Sequence, residues 1–148
     1  MKISEAVEQL RNARTAHKSW VARAEALIAG MSVDKEHIPM MPTDCAFGKW
    51  YYGPGHMLRR LPAYKAMEKP HDELHRVYMN IFKLLFNEPE VSMLGKMFGQ
   101  SKKAKAEQLK QAEALFSKLQ LISENVCDIL EQLEAQLIQA AGKQASMK

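Results

Sequence analysis

Three stretches of the chain place apolar residues at alternating steps of three and four, and no other feature constrains the fold so tightly. The first, over residues 2–29, runs Ile3, Ala6, Leu10, Ala13, His17, Trp20, Ala24 and Leu27. The second, over 62–86, runs Tyr64, Met67, His71, Leu74, Tyr78, Ile81 and Leu85. The third, over 101–141, includes Leu109, Ala112, Phe116, Leu119, Val126, Leu130, Leu133 and Leu137. Such steps hold side chains on one stripe of a helix, which must be buried against other helices. The β-branched alternation that marks strands is nearly absent, and the dominant residues are good helix formers. The expected fold is all-α: an antiparallel four-helix-type bundle with three long helices, counting a long C-terminal one, and a short Cys-bearing helix.

Punctuation sets the boundaries. Gly30 suits the C-terminal cap of the first helix. Residues 32–42 hold two prolines and little periodicity, so they read as a connection. Residues 43–52 read as the short helix, with Thr43 or Asp44 able to cap it. Gly53-Pro54-Gly55 breaks the chain, and Pro62 suits a first helical position. Pro70 lies inside the second long helix and should bend it just before His71. Residues 87–100 read as a linker or short helical piece. The third long helix would measure about 60 Å against about 40 Å for the other two, so its end should project or pair with another chain. One domain is expected over 1–141, with a flexible tail over 142–148.

At 148 residues the chain is the size of one domain. It has no apolar run long enough to span a membrane, and no cleavable leader is expected. Cys45 and Cys127 stand far apart in unlike contexts, so no disulfide framework is indicated and a reducing cytoplasm is the expected setting. The net charge is +4. Lys102, Lys103, Lys105 and Lys110 cluster without interleaved aromatic residues, which reads as a solvated helix start and gives no support to nucleic-acid binding.

Chemistry concentrates in the first 75 positions. His71 and His75, four apart on a helix, share one face and can grip one ion, although such a pair can also be two unrelated histidines. His17 occupies a seam position, where an unpartnered imidazole is costly. Seam histidines converging from two helices are how bundles build metal sites in their cores. Cys45 supplies a fourth donor from the short segment, whose Phe47 and Trp50 would bury it and whose Gly48 permits close backbone approach. Three imidazoles and a thiolate suit Zn²⁺ best. A shell of four protein ligands leaves no position for water, so the chain is not expected to be an enzyme. His71-Asp72-Glu73-Leu74-His75 has Asp72 where the zinc proteases carry their glutamate base, which discounts that reading. Glu5, Glu8, Glu25, Asp72 and Glu73 do not fall into the inward carboxylate pattern of di-iron bundles. His37 and His56 are expected to be solvent-exposed, Cys127 to be a small core residue, and Asp44 either to cap the short helix or to hydrogen-bond a ligand.

These residues resemble the chemoreceptor zinc-binding domain family of bacterial signalling proteins. The family pattern is His-x-x-aromatic, then Cys-x-hydrophobic-Gly-x-aromatic or aliphatic, then His-x-x-x-His. Here it reads His17-Lys18-Ser19-Trp20, Cys45-Ala46-Phe47-Gly48-Lys49-Trp50 and His71-Asp72-Glu73-Leu74-His75. The resemblance extends over roughly residues 1 to 135. It implies zinc ligation by His17, Cys45, His71 and His75; Trp20, Asp44, Phe47, Gly48 and Trp50 are the expected supporting residues. It also implies a homodimeric bundle linked to chemoreceptors or diguanylate cyclases. Family members usually carry an output domain on the same chain, and no such segment follows residue 141; a free-standing sensor is favoured over an excised domain. The expected function is regulatory: zinc level or an oxidant is sensed through the His3Cys site and relayed to a chemoreceptor or cyclic-di-GMP partner. The alternative is a zinc-stabilised dimeric interaction module without a sensing role. No nucleic-acid or membrane partner is expected.

Overall fold

The computed structural model describes residues 2–31, 41–87 and 91–146. The elements are α1 (Ile3–Ile28), α2 (Ala46–Tyr52), a 3-10 turn (Pro54–Leu58), α3 (Pro62–Phe86), α4 (Met93–Met97) and α5 (Gln100–Ser146). The three seams fold as helices, and the chain is an all-α bundle as its periodicity requires. His37 and most of the 32–42 connection lie outside the described residues.

Local chemistry explains the ends. The Lys2 amide donates to the Glu5 carboxylate at 3.0 Å, which closes the start of α1. At its other end Gly30 adopts φ +86. The Gly30 amide bonds to the Leu27 carbonyl at 3.0 Å and the Met31 amide to the Ala26 carbonyl at 2.9 Å. That pair is a Schellman closure, which only a residue free of a Cβ adopts without strain. Pro62 opens α3, where its missing N–H has no partner to lose. The next amide, that of Ala63, donates to the Gln136 side chain at 3.0 Å, so a free helix end is satisfied from α5.

The long helix α5 is the spine. Arg11 and Arg14 of α1 pair with Glu134 and Glu131 of α5, each at 2.7 Å. Rising numbers on one helix meet falling numbers on the other, so the two are antiparallel. Ala63 near Gln136 and Glu73 near Lys118 give α3 the same sense against α5. It follows that α1 and α3 run parallel, side by side on α5, with the crossover through α2 joining them. Exposed ion pairs contribute little energy. The association rests on the seams, where Leu10, Met67, Leu74, Ile81, Leu119, Leu130 and Leu133 are fully buried.

Two lengths differ from expectation. α5 has 47 residues and runs to Ser146 instead of ending at Ala141, so it is about 70 Å long. Its buried positions span only Ala112 to Leu137, about 39 Å, which matches α1 and α3. The first turns of α5 therefore have no fully buried side chain, and Leu109 is 38% exposed. Beside them Met93, Leu94 and Met97 of α4 and its capping residue Phe98 are 68–85% exposed. Seam residue Ile3 is likewise exposed at the tip of α1.

Candidate metal centre

Each donor is placed by a different piece of local structure. His17 lies on the buried stripe of α1, and its Nδ1 is 2.7 Å from the Ala13 carbonyl oxygen. A carbonyl only accepts, so Nδ1 carries the hydrogen and Nε2 keeps the lone pair. That Nε2 is buried with no hydrogen-bond partner. His71 and His75 sit one turn apart on α3, with their Nε2 atoms 3.1 Å from each other. Cys45 is itself the N-cap of α2, in extended backbone, and its sulfur accepts the Gly48 amide at 3.1 Å. The cap therefore falls on Cys45 and not on Thr43 or Asp44, which are exposed. Sulfur takes this role because Cys45 directly precedes the first helical turn, where backbone N–H groups lack partners.

These side chains converge. The Cys45 sulfur is 3.4 Å from His71 Nε2. One donor atom from each of His17, Cys45, His71 and His75 lies within 4.8 Å of the others, and all four residues are buried. Such a group could hold a metal ion. Burial pushes the His17 imidazole below its ordinary range, against the Ala13 hydrogen bond that favours the charged form. For His71, burial and then the neighbouring His75 and His17 lower the pKa to about 3. Burial pushes the Cys45 thiol up, opposed by the amides of Gly48 and Phe47. The His17 and His71 imidazoles are thus held neutral, with lone pairs available, as metal ligands must be.

Aromatic rings close the site. Trp20 meets His75 edge-on at 4.6 Å, and Phe47 meets His71 at 5.0 Å and His17 at 5.7 Å. Trp50 is buried and packs on Phe47. A Cβ on Gly48 would collide with the Pro42 carbonyl oxygen and stand 2.9 Å from its carbon, so the turn before Cys45 presses directly on this residue. Asp44 is exposed, and its charge raises the Cys45 pKa. His56 is exposed and Cys127 buried, as expected.

One support escaped the sequence. Tyr51 donates its hydroxyl to the Tyr64 carbonyl at 2.7 Å, and Tyr64 returns the bond to the Tyr51 carbonyl at 2.6 Å. Their rings stack at 4.1 Å. This reciprocal pair fastens the C-terminal turn of α2 to the first turn of α3. Tyr64 was legible as a seam position, but nothing in the spacing assigned it a partner across the Gly53-Pro54-Gly55 break.

Comparison with protein families places this segment. The family model described as chemoreceptor zinc-binding domain matches residues 17–82. Residues 17–82 are similar to that domain. The match begins on His17, ends on Phe82 of α3 and includes all four converging side chains. It is narrower than the span from 1 to 135 over which the resemblance was expected to run, and the domain's match leaves out α5. Neither the curated proteins nor the solved structures give a match. Among the described residues, no helix is long and apolar enough to cross a membrane.

The buried histidines set a pH dependence. His71 titrates near 3 when folded and near 6.5 when unfolded, so the unfolded chain takes up its proton first. Stability from this group is complete above pH 6.5 and declines as pH falls toward 3. Metal-stripped protein should lose about 1.4 kcal/mol through His71 at pH 5.5 relative to pH 8. Urea midpoints at the two pH values test this; equal midpoints would mean that His71 is not held neutral.

Proposed function

We propose that His17, Cys45, His71 and His75 hold one Zn²⁺ and that the chain is a sensory module and not an enzyme. The residues fit the ion. Tetrahedral zinc at its usual bond lengths separates two nitrogens by roughly 3.3 Å and a nitrogen from a sulfur by roughly 3.5 Å. The His71–His75 and Cys45–His71 separations are 3.1 and 3.4 Å. A bound Zn²⁺ would supply charge and a fixed four-coordinate geometry, with no protein-free position for a reacting water.

One observation carries the sensory reading: the donors come from α1, α3 and the cap of α2, and none comes from α5. The core built on α5 does not depend on the site. Cys45 joins α2 to two parallel helices that otherwise meet mainly through the spine. When Cys45 lets go, the start of α2 is released while Tyr51 and Tyr64 keep its far end. A local change of packing beside an intact core is a recognised form of switch.

Two signals fit. Either free zinc sets occupancy, or oxidation of the Cys45 sulfur to a poorer ligand releases the ion. A zinc affinity far tighter than cellular free zinc would exclude the first. The likeness to the chemoreceptor zinc-binding domain supports a chemoreceptor or a diguanylate cyclase as output partner, with the chain as a homodimer. Support also comes from α4 and the first turns of α5. Residues 91–110 hold five lysines and one glutamate, which accounts for the whole net charge of +4. They adjoin the exposed Met93, Leu94, Met97 and Phe98. A monomer mass by sedimentation equilibrium would remove the dimer from this reading.

Hydrogen exchange on zinc-loaded and zinc-stripped protein tests the switch. Residues 41–52 should exchange at least about tenfold faster without zinc, with α1, α3 and α5 still protected. Global loss of protection would instead favour a purely structural zinc and the interaction-module reading.

A further inference from the structure

A pocket of about 310 Å³ opens between α1 and α2. Its buried lining includes His17, Trp20, Cys45 and Phe47, and its exposed lining includes Asn12, Ala16 and Arg23. The pocket therefore leads from solvent to two of the four converging residues. The Cys45 sulfur is hemmed in elsewhere by the Pro42 carbonyl at 3.4 Å, the Gly48 amide at 3.1 Å and His71 at 3.4 Å. Among the described residues lining the pocket, Arg23 is the one permanently charged side chain, and no carboxylate accompanies it. Small Ala13, Ala16 and Ala46 keep the passage open. The volume is at the lower limit of small-molecule sites, which suits a reagent of few atoms.

We infer that this pocket is the passage by which small anionic electrophiles reach Cys45, with Arg23 selecting for negative charge. The inference rests on the reading of Cys45 as a reactive ligand. An anionic peroxide would pass its terminal oxygen to sulfur: the S–O bond forms, the O–O bond breaks, and the electron pair leaves with the oxyanion. Sulfur is oxidised by two electrons and the peroxide is reduced by two. An alkyl iodide reports the same approach without redox, since sulfur displaces iodide from carbon.

Iodoacetate and iodoacetamide are nearly equal in size and differ in charge, so they make the test. Full-length protein, zinc-loaded and zinc-stripped, is reacted with each, and alkylation of Cys45 and Cys127 is followed separately by peptide mass. Cys127 faces a different groove, beside Lys18, and serves as the internal control. Ala16→Phe, and independently Asn12→Phe, should slow Cys45 alkylation about tenfold with both reagents while zinc content and Cys127 rates stay unchanged. Arg23→Gln should lower the iodoacetate-to-iodoacetamide rate ratio at Cys45 about two- to fivefold, the scale of one partly solvated charge. Wild-type rates at Cys45 in both filled variants would overturn the passage, and an unchanged ratio in Arg23→Gln would overturn charge selection. Failure of the underlying reading looks different. In that case zinc-loaded wild type resists both reagents, while the filled variants still slow the zinc-stripped protein.

Discussion

Loss of a single ligand is expected to cut zinc affinity by about two to three orders of magnitude. Structural zinc sites are worth about 10–16 kcal/mol, so one of four ligands carries roughly 3–4 kcal/mol. Cys45→Ala and His71→Ala should both show the full loss in competition with a chromogenic chelator, because the two residues meet at 3.4 Å in the middle of the group. They should differ in stability. Cys45→Ala removes the cap of α2, and the Gly48 amide then has no acceptor. His71→Ala leaves a hole among Phe47, His75 and His17 but also removes an imidazole that folding must keep neutral. Zinc-stripped His71→Ala should thus lose less stability at pH 5.5 than at pH 8, relative to wild type, because that desolvation cost disappears. A variant of either kind that retains wild-type affinity would exclude that residue from the shell.

Gly48→Ala should be the most damaging substitution outside the ligands. The added methyl group meets the Pro42 carbonyl, which is backbone and has no rotamer to change. Relief requires the turn over 41–45 to move away from α2, and Cys45 lies at the junction. A loss of about 3 kcal/mol or more in stability is expected, at the upper end of overpacking costs. Zinc affinity should fall with it, by at least tenfold, because the cap and the ligand are the same side chain. Thermal unfolding and the chelator competition measure the two effects. Gly142→Ala, where a Cβ meets nothing within 4 Å, is the matching control and should be neutral or slightly stabilising.

Periodicity made most of this molecule legible. A seam at steps of three and four admits one secondary structure, so α1 and α3 lie where the spacing puts them, and His17, His71 and His75 were inward-facing by the same arithmetic. Chemistry did the rest for Cys45, the nearest soft donor in a segment that its aromatics would bury. Legibility ended where tertiary geometry decides. Nothing local distinguishes Cys45 from Asp44 as the cap of α2, since aspartate is the more usual choice. The burial that Phe47 and Trp50 impose turned it to the sulfur. The Tyr51–Tyr64 exchange crosses a glycine-proline break that spacing rules do not bridge. The far end of α5 is not legible, because Gly142 reads as a stop whereas an exposed helix tolerates glycine at about 1 kcal/mol.

The central claim concerns one shell of four ligands. X-ray absorption at the zinc edge of the loaded full-length protein tests it most directly. Three nitrogen scatterers near 2.0–2.1 Å and one sulfur near 2.3 Å are expected, with the sulfur lost in Cys45→Ala. A shell dominated by oxygen, or a sulfur that persists in Cys45→Ala, would contradict it.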